Sequence, residues 1–186
     1  MPAISDARIM ILATNGFEQS ELEVPRDRLK EAGATVHVVA PQDGEITGWD
    51  KTDWGNAVPV DRTLDAVSPQ DYDALVLPGG QINPDLLRVE AKAVDFVRAF
   101  AGTGKPLAAI CHAPWLLIEA GVAEGRRLTS YKSIVTDLKN AGADWQDGET
   151  VVDGNLITAR NPGDLEPFSR AIVEAVEAGP QRQAAE

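Results

Sequence analysis

The chain has 186 residues, 44% of them hydrophobic and 25% charged, with a formal net charge of −12, which is the size and composition of one globular domain with a sizeable core. The acidic balance and the lack of any basic run exclude a nucleic-acid-binding surface, which needs clustered Lys and Arg. A single cysteine excludes an intramolecular disulfide and fits a reducing compartment.

In chain order, "MPAISDARIMILAT" has an apolar stretch too short for a signal peptide, with Asp6 and Arg8 ahead of it. No segment approaches a membrane span. The expectation is a cytoplasmic protein with neither a membrane nor a nucleic-acid partner. "RIMILA" (8–13) reads as a strand buried on both faces of a parallel sheet. "TNGFEQSELEVPRDRLKEAG" predicts a helix that ends at Gly33 and is kinked or divided at Pro25. "TVHVVA" (35–40) is the next strand, and 42–62, with Trp49 and Trp54, suits a small antiparallel excursion. "DALVLPGG" (73–80) is a third core strand. The helix over 90–104 places Ala93, Val94, Val97 and Phe100 on one face. "PLAAIC" (106–111) is the fourth strand and "APWLLIEAG" a short apolar helix. Then come a helix near 132–141, the strands "TVVD" and "NLITA" joined by a turn at Gly154, and a last helix over about 164–178. We assign one domain to 1–179 and a flexible tail to 180–186.

Strands alternating with helices predict a three-layer α/β/α sandwich, flavodoxin-like, with a mostly parallel sheet. Chemistry in such sheets gathers at the carboxyl ends of the strands. Three places qualify: Gly16-Phe17-Glu18, Gly79-Gly80 and Cys111-His112. The stretch "AAICHAP" puts the only cysteine between small residues at a strand-to-helix join, the pattern of a nucleophile elbow. A helix N-terminus aimed at the sulfur is expected to favour thiolate. Paired glycines let backbone N–H groups approach a reacting oxygen. A carboxyl at Glu18, partly desolvated, would hold a proton for the sulfur. His37 reads as a packed or rim histidine. One Cys and two scattered His give no metal-ligand spacing, and no cofactor motif follows Gly79-Gly80.

The blocks "NGFEQSELEVPRDRLKEAG", "DALVLPGGQINPDLLR", "PLAAICHAPWLLIEAGVAEGRRLTSY" and "VVDGNLITARNPGDL" resemble the PfpI family of intracellular proteases and general stress proteins. That family is related to the ThiJ deglycase group and to class I glutamine amidotransferase domains. The resemblance spans about residues 8–178. It implies Cys111 as nucleophile, His112 as general base, Glu18 as the carboxyl at the thiol, and Gly79, Gly80 and the His112 backbone around the oxyanion. It implies Asp85, where the family more often has Glu, as an acid given to a neighbouring subunit's triad, hence a homodimer or larger oligomer. Ala113 replaces the more usual Gly. Tyr131 and Arg160 match residues at the mouth of the pocket. The implied activity is a cysteine hydrolase acting on peptides or amides. The alternatives are action on methylglyoxal and its adducts, or a redox-sensing or chaperone-like stress role.

Overall fold

The computed structural model describes residues 3–180. Its elements are β1 (Arg8–Leu12), β2 (Phe17–Glu18), α1 (Gln19–Glu31), β3 (Thr35–Ala40), β4 (Glu45–Asp50), β5 (Asp53–Pro59), β6 (Arg62–Thr63), β7 (Ala74–Leu77) and α2 (Ile82–Leu87). The second half adds α3 (Ala91–Ala101), β8 (Leu107–Ile110), α4 (Pro114–Glu119), β9 (Arg127–Leu128), α5 (Val135–Asn140), β10 (Asp144–Trp145), β11 (Thr150–Asp153), β12 (Leu156–Ala159) and α6 (Leu165–Ala178).

Seven strands form the central sheet in the order β11-β12-β8-β7-β1-β3-β6. All neighbours pair parallel except β11 and β12, which form the antiparallel hairpin across Gly154. Every residue of β7, β8 and β12 is buried, as continuous apolar strands require when helices cover both faces. One face packs against Phe96 and Phe100 of α3, Leu116 and Leu117 of α4, and Leu138 of α5. The other packs against Leu22 and Leu29 of α1 and Phe168, Ile172 and Val176 of α6. The expected three layers are present. Each such side chain contributes roughly 1.5–3 kcal/mol by leaving water. Among the described residues no helix is long and apolar enough to cross a membrane. Of the expected tail, 181–186 lies outside the described residues.

One local expectation changes. Helix α1 runs unbroken through Pro25. Pro25 is buried on the same face as Leu22 and Leu29, and that packing outweighs the lost backbone bond. The segment after Gly80 forms the short helix α2. The excursion at 42–62 is indeed antiparallel, β4 against β5, and β2 joins it as a third strand. There Trp49 and Trp54 stack edge to face with ring centres 5.4 Å apart.

Candidate active site

Cys111 follows β8 with φ at +64°, one of two non-glycine residues in the left-handed region among those described. A cysteine there is strained. It is held by its own N–H donating to the Ala159 carbonyl (3.0 Å) and by its carbonyl accepting from the Tyr131 N–H (2.8 Å). Flanking Ala109 and Ala113 are fully buried, so larger side chains would have no room. The elbow is real, and α4 begins three residues later at Pro114.

The carboxyl at the thiol is Glu21, not Glu18. Glu18 caps α1: its Oε2 accepts from the Glu21 N–H at 2.9 Å and from the Ser20 hydroxyl. Three residues on, the helix turns Glu21 inward, where it is fully buried against Cys111. Its Oε2 accepts from the Gly79 N–H at 2.9 Å. Oε1 has no conventional partner among the described residues, which suits a carboxyl that keeps its proton for the sulfur. Burial, reinforced by the charge of Glu18, pushes Glu21 from its ordinary 4.5 up to about 8. The sequence carried a signal for this residue: Glu21 has the spacing i, i+4, i+8 with Pro25 and Leu29, the buried face of the helix.

Gly79 therefore does not serve an oxyanion, because its N–H is committed to Glu21. The Gly80 and His112 N–H groups do face the sulfur. Both glycines are required by space. A Cβ on Gly79 would lie 2.6 Å from Cys111 Cβ and 2.7 Å from the Ile110 oxygen. One on Gly80, where φ is +80°, would lie 2.6 Å from the Glu18 nitrogen. Asn83, fully buried, pins this loop. It accepts from the Thr14 N–H (2.8 Å) and donates to the Pro78 (2.9 Å) and Gly79 (3.2 Å) carbonyls.

The expected depression of the thiol is also corrected. Burial, and then the Glu21 carboxyl, push Cys111 well above its ordinary value, and the Gly80 and His112 N–H groups only partly oppose this. Six-residue α4 supplies too little dipole to reverse it.

The His112 imidazole places Nδ1 3.1 Å from Cys111 Sγ and Nε2 3.0 Å from the Ser133 hydroxyl. Burial holds it below its ordinary 6.5, so it is neutral at pH 7. With its proton on Nε2 toward Ser133, Nδ1 can take the thiol proton. Ser133 was not legible in the sequence. Tyr131 stacks on the same ring, centres 4.7 Å apart. Asp85 is exposed on α2 and makes no bond to His112 within the chain. Arg160 is engaged by Asp164, through Nε (2.9 Å) and Nη2 (3.0 Å), and by Asp147 (2.8 Å). It walls a cavity of about 450 Å³ together with Ser130, Tyr131, Lys132 and Trp145. Tyr131, which lines that cavity, stacks on His112 beside the thiol. Among the described residues no group of three His, Cys, Asp or Glu could hold a metal ion.

The chain is similar to known proteins along most of its length. The chain is 47% identical to the protein named deglycase PfpI of Pyrococcus furiosus, over 90% of this chain and 98% of that one. It is 41% identical to general stress protein 18 of Bacillus subtilis, over 91% of this chain and 98% of that one. The crystal structure of Drosophila melanogaster DJ-1beta superposes with a TM-score of 0.82 at 32% identity, covering 92% of this chain and 94% of that one. The model of the DJ-1/PfpI family matches residues 7–175, and the chain belongs to that family.

Proposed function

We propose that the protein is a deglycase-type enzyme that acts through Cys111 on methylglyoxal and on its early adducts with amines and thiols, in the cytoplasm. The observation that carries this reading is the enclosure of the nucleophile. Cys111 is 5% exposed and its sulfur is boxed by Glu21, His112 and Gly80, which admits a compact carbonyl more readily than a folded polypeptide. Relatives named deglycases support the same substrate class.

The chemistry follows from the pair of acids. Two adjoining anions repel in a dry site, so the thiol and Glu21 release one proton between them before a second. At pH 7 Glu21 keeps its proton, and the neutral His112 Nδ1 takes the thiol proton as the sulfur attacks the aldehyde carbon of methylglyoxal. The C–S bond forms, and the carbonyl oxygen takes the Glu21 proton to give a hemithioacetal. The carboxylate then accepts the C1 proton, and a proton is delivered at C2. The result is a lactoyl thioester that water cleaves to lactate and free thiol. Methylglyoxal and water enter, and lactate leaves. From an adduct, the bound amine or thiol departs as the hemithioacetal forms.

Turnover of methylglyoxal and of casein by the pure protein, each beside Cys111→Ser, tests this. Lactate formation that needs Cys111, without casein cleavage, is expected. Casein cleavage that needs Cys111, without lactate, overturns it in favour of the peptidase reading.

A further inference from the structure

A second cleft lies on the α3 side of the sheet, remote from the elbow. Arg8 opens β1 and Tyr72 precedes β7, whereas Cys111 follows the carboxyl end of β8. The cleft has a volume of about 180 Å³ and is lined by Arg8, His37, Arg62, Asp71 and Tyr72 among others.

Both of its arginines lack an ion-pair partner among the described residues. Arg26, Arg28, Arg88, Arg98, Arg126 and Arg160 all form ion pairs. Arg8, Arg62, Arg127 and Arg170 form none among the described residues, and of these only Arg8 and Arg62 share a cleft. The nearby carboxylates are turned to backbone N–H groups instead. Asp61 accepts from Val38 (2.7 Å), Asp71 from Ser68 (2.8 Å) and Asp73 from Arg8 (2.9 Å). Burial pushes the Tyr72 phenol up, and the Arg62 and Arg8 guanidiniums pull it back while Asp71 and Asp61 reinforce the rise. Both cations thus act on the same hydroxyl, although they sit on different strands. His37 Nδ1 lies 3.1 Å from that hydroxyl, and its Nε2 has no partner among the described residues.

Arg8 and Arg62 reach the cleft from different strands, the one carboxylate lining it, Asp71, is held by the Ser68 N–H, and an oxyanion bridging the two N–H forks would offset the repulsion between the guanidiniums. The cleft is smaller than the roughly 300–1,000 Å³ of ordinary organic-ligand pockets, so it suits one compact head group. We propose that this cleft binds a phosphate group, free or on a small monoester, through Arg8 and Arg62, with His37 and the Tyr72 hydroxyl as further hydrogen-bond partners. The site is independent of the thiol chemistry.

The test is an amide NMR titration of the full chain at fixed ionic strength with inorganic phosphate, methyl phosphate and acetate. Saturable shifts at His37, Val38, Arg62 and Tyr72, with a Kd of about 1 mM or tighter, are expected for phosphate or methyl phosphate. Tighter binding of methyl phosphate assigns the source as an ester, and tighter binding of inorganic phosphate assigns the free anion. Arg62→Gln and Arg8→Gln should each weaken binding by about tenfold and leave Cys111-dependent turnover unchanged. Arg62 is exposed, so its variant decides the matter if Arg8→Gln folds poorly. Absence of saturation by about 10 mM overturns the proposal. So does acetate binding as tightly as phosphate, or affinity unchanged in Arg62→Gln.

Discussion

Replacing Glu21 with Gln exchanges a titrating acid for an amide of the same shape. The amide oxygen still accepts from the Gly79 N–H, and its NH2 still faces the sulfur. In the native protein this carboxyl is raised from 4.5 to about 8. Between those values the folded state holds a proton that the unfolded chain has released. Stability therefore falls as pH rises through that window, by ~1.36 kcal/mol per pH unit. From pH 5 to pH 7 the native protein should lose about 2.5 kcal/mol relative to Glu21→Gln, which has no such proton to hold. His112, held below 6.5, acts with the opposite sign: its contribution is present above 6.5 and lost as pH falls. It is common to both proteins and cancels in the difference. Urea unfolding at pH 5, 6 and 7 measures the gap, which should widen steadily in favour of the variant. The same variant should lose about 10²–10⁴-fold in turnover, since no proton can be donated or returned. A gap that stays constant from pH 5 to pH 7 would show that the carboxyl is ionised throughout, and the argument for a thiol–carboxyl pair would fail.

Gly79→Ala forces a methyl group against Cys111, Ile110 and Glu21 and should cost about 1–3 kcal/mol. Gly102→Ala, where the nearest atom is 3.4 Å away, should be near neutral, and thermal melts of the two compare them directly. We also propose that Asp85 completes a neighbouring chain's site in a homo-oligomer. Asp85→Ala should then lower turnover with unchanged circular dichroism, and mixing it with Cys111→Ser should restore part of the activity. Verified exchange of chains without any recovery would count against a shared site.

Strand positions and the elbow were legible because each rests on a local rule. Continuous apolar runs mark strands covered on both faces, and small residues around Cys111 mark a turn with no room. The identity of the acid was not, because "GFEQSELE" offers Glu18, Glu21 and Glu23 within two turns. Which of them faces the sheet depends on where the helix starts. Placing that start at Gln19 makes Glu18 the cap and sends Glu21 inward. The role of Gly79 was misread for the same reason, since its partner was assigned to the wrong residue. Ser133 left no trace, because its contact with His112 joins two segments 21 residues apart through no periodic pattern. The state of the thiol depended on how deeply it is covered, which no short motif encodes.

The first turn of α1 does two jobs with one side chain. Glu18 accepts from the Glu21 N–H at the start of the helix, and its charge also helps keep Glu21 protonated. Its own carboxylate is turned to the helix rather than to the sulfur, so it works as a remote dial on the acidity of the pair. An uncharged cap such as Asn would preserve the helix start while letting Glu21 ionise at lower pH. Chains built on this scaffold can therefore set the pH at which their thiol becomes reactive by drift at a capping position, with the atoms that meet the substrate left in place.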